Sequence, residues 1–287
     1  MKILDRFQLG RPIISFEVFP PKRDGNVEAL FETIHELRAL EPDFISVTYG
    51  AGGSTRDMTY EIAVRLVDLG TLPLVHLTCV GHSRTELAHM LDQLSAAGIR
   101  NVLALRGDPP RGESFRPTAD GFRYASELVH FIKGRWDLCV GVAGYPEIHP
   151  EAASPEGDLA ALREKVDAGA DFVTTQLFFD NRLYYDYARR VRDVGVTVPI
   201  LPGIMPVLDG RSLTRFAGFG ANVPDELARG FERADGESPE RAKRFGLDFA
   251  IAQCRDLLAR GAPGIHIYTM NKAWAALGIH QALVAAR

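Results

Sequence analysis

Cysteine is scarce in this chain and does not cluster. Its 287 residues hold only Cys79, Cys139 and Cys254, far apart and outside any CxxC spacing, which argues against a disulfide framework and against a zinc site. A reducing, cytoplasmic setting is expected. Charge of one sign is not in excess either. The chain has 33 Lys and Arg against 37 Asp and Glu, interspersed, for a net charge of −4, so no field favours a nucleic-acid backbone. No stretch approaches the roughly 18 apolar residues of a membrane span. The most apolar run, residues 198–208, is broken by Pro199, Pro202 and Pro206. The N-terminal MKILDRFQLGRP interleaves charges with apolar residues and lacks a signal-peptide core, so no export is expected. No P-loop GxxxxGKS/T, hydrolase elbow GxSxG or zincin HExxH occurs, and no low-complexity segment interrupts the chain.

What is present is a globular composition, 46% hydrophobic and 24% charged, sufficient for a sizeable core. The length suits one barrel of roughly 250 residues, although two smaller domains fit as well. A repeated unit runs through the chain: an amphipathic helix, a glycine stop, then a short apolar strand. The stops are Gly70, Gly98, Gly169, Gly195 and Gly261, suited to the left-handed position that ends a helix. In one unit Ser83 and Glu86 form a capping-box pattern, Leu87, Leu91 and Leu94 share a helix face, and NVLALR follows Gly98. In another, Asp158 can cap a helix carrying Leu159, Leu162 and Val166 that ends at Gly169 before FVTTQL. Eight strands are expected: IISFEV, FISVT, LVHLTC, NVLALR, CVGVAGY, FVTTQL, PILPGI and GIHIYT. Eight βα units predict a closed (β/α)₈ barrel, one domain over residues 1–287, with an open doubly wound sheet as the alternative. A loop over residues 106–118 and an inserted helix within residues 220–240 depart from the repeat.

Chemistry in such a barrel gathers where the strands end. Those ends carry Glu17, Thr48, His76 with Thr78, Asp108, Tyr145 with His149, Gln176 and Tyr268. Glu17 stands between Phe16, Val18 and Phe19, a setting expected to desolvate the carboxyl, raise its pKa and make it a proton donor. A Glu paired with an Arg or Lys inside the barrel is the equal alternative. For Asp108 an ion pair with Arg106 is the first expectation. Gly50, Gly52 and Gly53 let backbone approach a phosphate or simply make a loop. His76 and Cys79 lack further ligands at a supporting spacing, so no metal is expected. His149, between prolines, makes a polar contact or a turn. These residues define a barrel enzyme with an acidic, amide-containing pocket, and the reaction stays open.

In SFEVFPPK, ISVTYGAGGSTRD, HLTC, ALRGDPP, YPEIHPEA, KVDAGADFVTTQLFFD, ILPGIMP and IHIYTMNK, over residues 15–272, the chain resembles the methylenetetrahydrofolate reductase family. The resemblance implies a (β/α)₈ barrel with FAD at its C-terminal face. It implies reduction of 5,10-methylenetetrahydrofolate to 5-methyltetrahydrofolate by a ping-pong hydride transfer, with NADH or NADPH as donor. It makes Glu17 the acid that protonates N10 of the folate, and it moves Asp108 from a structural pair to a residue that tunes the flavin and supports the cationic folate intermediate. Gln176 becomes a folate contact, as do Phe216 and Lys272. FAD contacts are implied for Thr48, His76, Arg106, Gly107, Asp108, Tyr145, His149, Asp158 and Lys165, with Tyr124 and Ala125 as neighbours. The chain departs from the enteric bacterial pattern at Ala161 (for Asn), Glu164 (for Arg), Ser212 (for Gln) and Lys272 (for Arg). A homo-oligomer is expected, without regulation by S-adenosylmethionine. The rival readings are a flavin subunit fed by a partner protein and a silent folate- or flavin-binding module.

Overall fold

The structure is a computed structural model and describes residues 1–21, 26–50, 56–108, 115–218 and 220–284. A short α1 (Ile3–Arg6) precedes the repeat. Then come β1 (Ile13–Val18), α2 (Val27–Arg38), β2 (Phe44–Val47), α3 (Arg56–Asp68), β3 (Pro73–Thr78), α4 (Arg84–Ala96), β4 (Asn101–Leu105) and α5 (Ala125–Lys133). The second half runs β5 (Cys139–Gly144), α6 (Pro155–Asp167), β6 (Phe172–Thr175), α7 (Asn181–Asp193), β7 (Ile200–Leu201), β8 (Gly203–Ile204), α8 (Ser212–Ala217), α9 (Asp225–Glu237), α10 (Pro239–Ala259), β9 (Gly264–Tyr268) and α11 (Ala273–Val284).

All pairings are parallel, in the order β7-β6-β5-β4-β3-β2-β1-β9-β8. The expected strand PILPGI is split because Pro202 has no N–H to give to the ladder. Its carbonyl still accepts from the His266 amide at 2.9 Å. β7 pairs with β6 while β8 pairs with β9, so the two halves of one strand close the cylinder. The fold is therefore the closed (β/α)₈ barrel, not the open sheet. Glycines 70, 98, 169, 195 and 261 all have positive φ, and Ser83 and Glu86 do cap α4 reciprocally. The helix of Asp158 begins earlier than expected: Ser154 is the N-cap, accepting from Gly157 N, and Pro155 opens the helix. That frees Asp158 for the barrel mouth.

Successive strand residues face opposite sides. From β1, Ile14, Phe16 and Val18 pack outward with Leu30, Ile34 and Leu37 of α2 in the main core. Ile13 faces inward with Phe44, Leu74, Leu103, Cys139, Phe172 and Leu201, a layer that closes the N-terminal end of the barrel. Ile3 of α1 joins that layer, and its amide donates to Asn101 Oδ1 at 2.7 Å. Burying side chains of this size contributes roughly 1.5–3 kcal/mol each. Gly141 leaves the room Phe172 needs, since a Cβ there would lie 2.5 Å from its ring. The expected insertion is α9, with Ser238 capping α10 directly after it. With α8 it covers a second cluster that includes Leu177, Phe179, Phe216 and Phe231.

Candidate active site

Above the apolar layer the inward positions turn polar. Register sets Ser15 beside His266 and Glu17 beside Ser46. Ser15 Oγ lies 2.8 Å from His266 Nδ1, and Ser46 Oγ lies 3.3 Å from His266 Nε2 and donates to Glu17 Oε2 at 3.2 Å. The same carboxylate oxygen is 3.4 Å from His76 Nε2 and 3.6 Å from His266 Nε2. Burial pushes the Glu17 carboxyl up, but hydrogen bonding to His266 and His76 and their charge outweigh it and hold it at about 2. This reverses the expected rise. Phe16 and Val18 face the helices, so the groups around the carboxyl are two imidazoles and a hydroxyl. The alternative of an Arg or Lys partner is not what forms either: histidines take that place.

The strand end is fixed from the far side of the sheet. Thr269 Oγ1 donates to Glu17 O at 2.6 Å, and the Asn271 side chain accepts from Phe19 N at 2.9 Å and donates to Phe19 O at 2.7 Å. Asn271 and Met270 both hold positive φ, a conformation Asn tolerates better than most residues. Tyr268, stacked edge-on to His266, donates to Thr175 O at 2.7 Å. Its phenol pKa is raised by burial and by the charges of Glu17 and Tyr145.

A cleft of about 760 Å³ opens between the ends of β4 and β5 and the starts of α5 and α6. It gathers Arg106, Tyr124, Ala125, Tyr145, His149, Asp158 and Lys165, together with the two departing positions Ala161 and Glu164. Arg106 pairs bidentately with Glu151, at 2.5 and 2.8 Å. The expected Arg106–Asp108 pair is not the one formed, because Glu151, on the loop after β5, takes both guanidinium nitrogens. Asp108 is exposed, and its charge helps raise the Tyr145 phenol, pushed to about 12 mainly by burial. Gly107 holds φ +82°, and a Cβ there would lie 2.5 Å from Val80 Cγ1. Tyr145 and His149 stack edge to face at 4.6 Å. Between them Ile148 holds φ +73°, a costly conformation for a β-branched residue. Glu147 accepts from the Asn222 amide N at 2.9 Å and from its side chain, which ties this strained turn to the segment after α8.

Lys165 donates to Ala143 O at 2.6 Å. Burial lowers its pKa to about 8, against the raising charge of Asp158. An anion in the cleft would restore that proton. The cleft's affinity for an anionic ligand is therefore expected to fall as pH rises through about 8, by up to about tenfold per unit, and Lys165→Met should flatten the profile. Titrations of the apoprotein at several pH values check this, and a flat wild-type profile from pH 7 to about 9.5 would contradict it.

Other expected site residues are placed differently. His76 faces Glu17 and lines a separate pocket of about 400 Å³ with Tyr49, Thr59 and Met90. Thr48 continues the sheet, its amide donating to Val18 O at 3.0 Å. Gln176 is half-buried, and its Oε1 accepts from the following amide, Leu177 N, at 2.9 Å. Phe216 is only 4% exposed, packed on Phe179, so its ring sits in the satellite core. Lys272 is exposed at the start of α11, and Ser212 caps back onto Asp209. Gly50 is described, whereas Gly52 and Gly53 lie outside the described residues. Among the described residues, no cluster of three His, Cys, Asp or Glu side chains could hold a metal. No helix is long and apolar enough to cross a membrane, and the three cysteines are free and buried. His266, Ser15, Ser46 and Glu151 escaped the sequence reading. Two-residue periodicity along SFE and HIY would have put the first two beside Glu17.

Fold and site together define a (β/α)₈-barrel enzyme class with a buried carboxylate–imidazole group and a charged cleft at the strand ends. Residues 2–284 match the family model described as methylenetetrahydrofolate reductase, and the chain belongs to that family. It is 38% identical over 266 residues to 5,10-methylenetetrahydrofolate reductase of Escherichia coli, covering 92% of this chain and 88% of that one. It is 40% identical over 297 residues to methylenetetrahydrofolate reductase (NADH) 1 of Arabidopsis thaliana, covering 97% of this chain and 50% of the relative. The chain thus spans about half the length of the plant relatives it matches. A Clostridium thermocellum protein described as binding two copies of 5-methyl-5,6,7,8-tetrahydrofolic acid shares the fold, with a TM-score of 0.70 at 16% identity, covering 99% of this chain and 98% of that one.

Proposed function

We propose that this chain, acting as one unit over residues 1–287 in a cytoplasmic setting, reduces 5,10-methylenetetrahydrofolate to 5-methyltetrahydrofolate. FAD would lie in the cleft, with NADH or NADPH as donor. The observation that carries the reading is the placement of Glu17 near the end of β1, between His76 and His266. The cleft suits a dinucleotide. It is roomy, it is lined by Arg106 and Lys165, and the starts of two helices face it. Buried polar atoms without hydrogen-bond partners among the described residues, Thr78 Oγ1 and Thr174 Oγ1, lie at inward positions of β3 and β6, where a polar ligand would satisfy them. FAD, when bound, supplies the hydride carrier between donor and folate.

The chain's own residues supply the proton and the charge. Glu17 faces His76 and His266 at 3.4–3.6 Å, so a proton carried by an imidazole reaches the carboxylate and from there the folate nitrogen. Ser15 and Ser46 fix the His266 ring. Asp108, free of the Arg106 pair, offers its charge to a developing folate cation.

Asp108→Asn should therefore slow folate reduction on the order of 10²-fold and leave reduction by the donor equal or faster. Equal losses in both half-reactions, at unchanged flavin content, would remove this role. The reading as a whole is tested by an absorbance spectrum of the purified protein, which should show bound flavin. A colourless protein fully active without added flavin would overturn it.

A further inference from the structure

The cleft walls carry three cations, Arg106, Arg123 and Lys165, and three carboxylates, Glu151, Asp158 and Glu164. Two of the cations are already engaged. Arg106 is held by both oxygens of Glu151, and Lys165 donates to a backbone carbonyl while burial weakens its hold on a proton. Arg123 differs: among the described residues it forms no ion pair within 4.0 Å. It stands two residues before α5, with its backbone N held by Glu127 Oε2 at 2.6 Å, and its guanidinium lies 5.7 Å from the ring centre of Tyr124. Both residues are exposed, Tyr124 by 53%. On α6 Glu164 lines the same cleft, exposed and likewise without an ion pair among the described residues. The wall is thus balanced in charge, and Arg123 and Glu164, which no ion pair holds among the described residues, act in opposite senses on an anionic ligand.

We infer that Arg123 is the rim cation that holds the diphosphate of the cleft's dinucleotide, and that Glu164 weakens this hold. The inference rests on the reading that FAD occupies the cleft. A guanidinium offers the paired N–H groups that match phosphate oxygens. At the rim Arg123 is hydrated and mobile until the ligand arrives, and Tyr124 limits its directions. Glu164 adds a like charge to a dianion in the same cavity, so removing it helps.

The test is binding, not turnover. Apoprotein is titrated with FAD and, separately, with riboflavin, which has no phosphate, at low and high salt. Arg123→Ala should weaken FAD about tenfold, the scale of a hydrogen bond to a charged group, and leave riboflavin unchanged. It should also flatten the salt dependence. Arg123→Lys should recover part of the loss, and Glu164→Ala should tighten FAD severalfold. Both side chains are exposed, and thermal melts will show that the variants fold. Wild-type affinity and salt dependence in Arg123→Ala would overturn the assignment alone, as would an equal loss for riboflavin. A wild-type protein that takes up no FAD would overturn the cofactor reading and this assignment with it.

Discussion

Replacing Glu17 by glutamine is expected to leave folding, flavin content and reduction by the donor intact while slowing oxidation by methylenetetrahydrofolate about 10²- to 10⁴-fold, the usual range for losing a positioned general acid. Hydride delivery from the donor needs no protein proton, whereas opening the folate ring needs one at nitrogen. Glutamine keeps the size and can still accept from Ser46, which donates to Glu17 at 3.2 Å, so the packing survives. What disappears is the carboxylate that stands between His76 and His266. Stopped-flow absorbance separates the two half-reactions. A variant that is reoxidised by folate at close to the wild-type rate would show that Glu17 is not the proton carrier.

Gly107→Ala is expected to be nearly as damaging by a different route. Its φ of +82° costs an L-residue roughly 1–2 kcal/mol. The new methyl would sit 2.5 Å from Val80 Cγ1 and 2.9 Å from Thr78 Cβ, adding roughly 1–3 kcal/mol of overpacking. Together these should lower Tm on the order of 10 °C at this chain length. Because Gly107 lies between Arg106 and Asp108, flavin affinity should fall as well. Melting curves and flavin titrations check both effects. Unchanged values would mean that the turn relaxes freely and that its geometry is not what aligns the two side chains.

The repeating grammar of the chain was legible because it is local. Glycine stops, capping patterns and short apolar strands each act within a few residues, and all eight expected strands are present. Closure of the barrel was not local. It depends on Pro202 leaving one strand able to bond β6 on one side and β9 on the other, which no neighbouring residue announces. The Glu17 site shows the same limit. Its neighbours in sequence, Phe16 and Val18, belong to the opposite face of the strand, so they say nothing of the carboxyl's surroundings. Its real partners, Ser46, His76 and His266, come from three other strands. Arg106 was paired with the nearest acid in sequence, although Glu151 comes from another loop. Phe216 was read by motif position alone, and packing against Phe179 buries its ring. Seven residues that the resemblance names for the flavin, from four separate segments, line one cavity.

We propose that the Glu17 group and the Arg106–Lys165 cleft serve a single hydride relay from a nicotinamide donor to methylenetetrahydrofolate. The most direct test of this relay is an anaerobic single turnover of the wild-type protein, mixed first with NADH and then with methylenetetrahydrofolate, while flavin absorbance and folate products are followed. Bleaching on the first addition, full recovery on the second, and one 5-methyltetrahydrofolate formed for each flavin would bear out the account. Absorbance that NADH leaves unchanged, or that bleaches and does not recover with the folate, would contradict it.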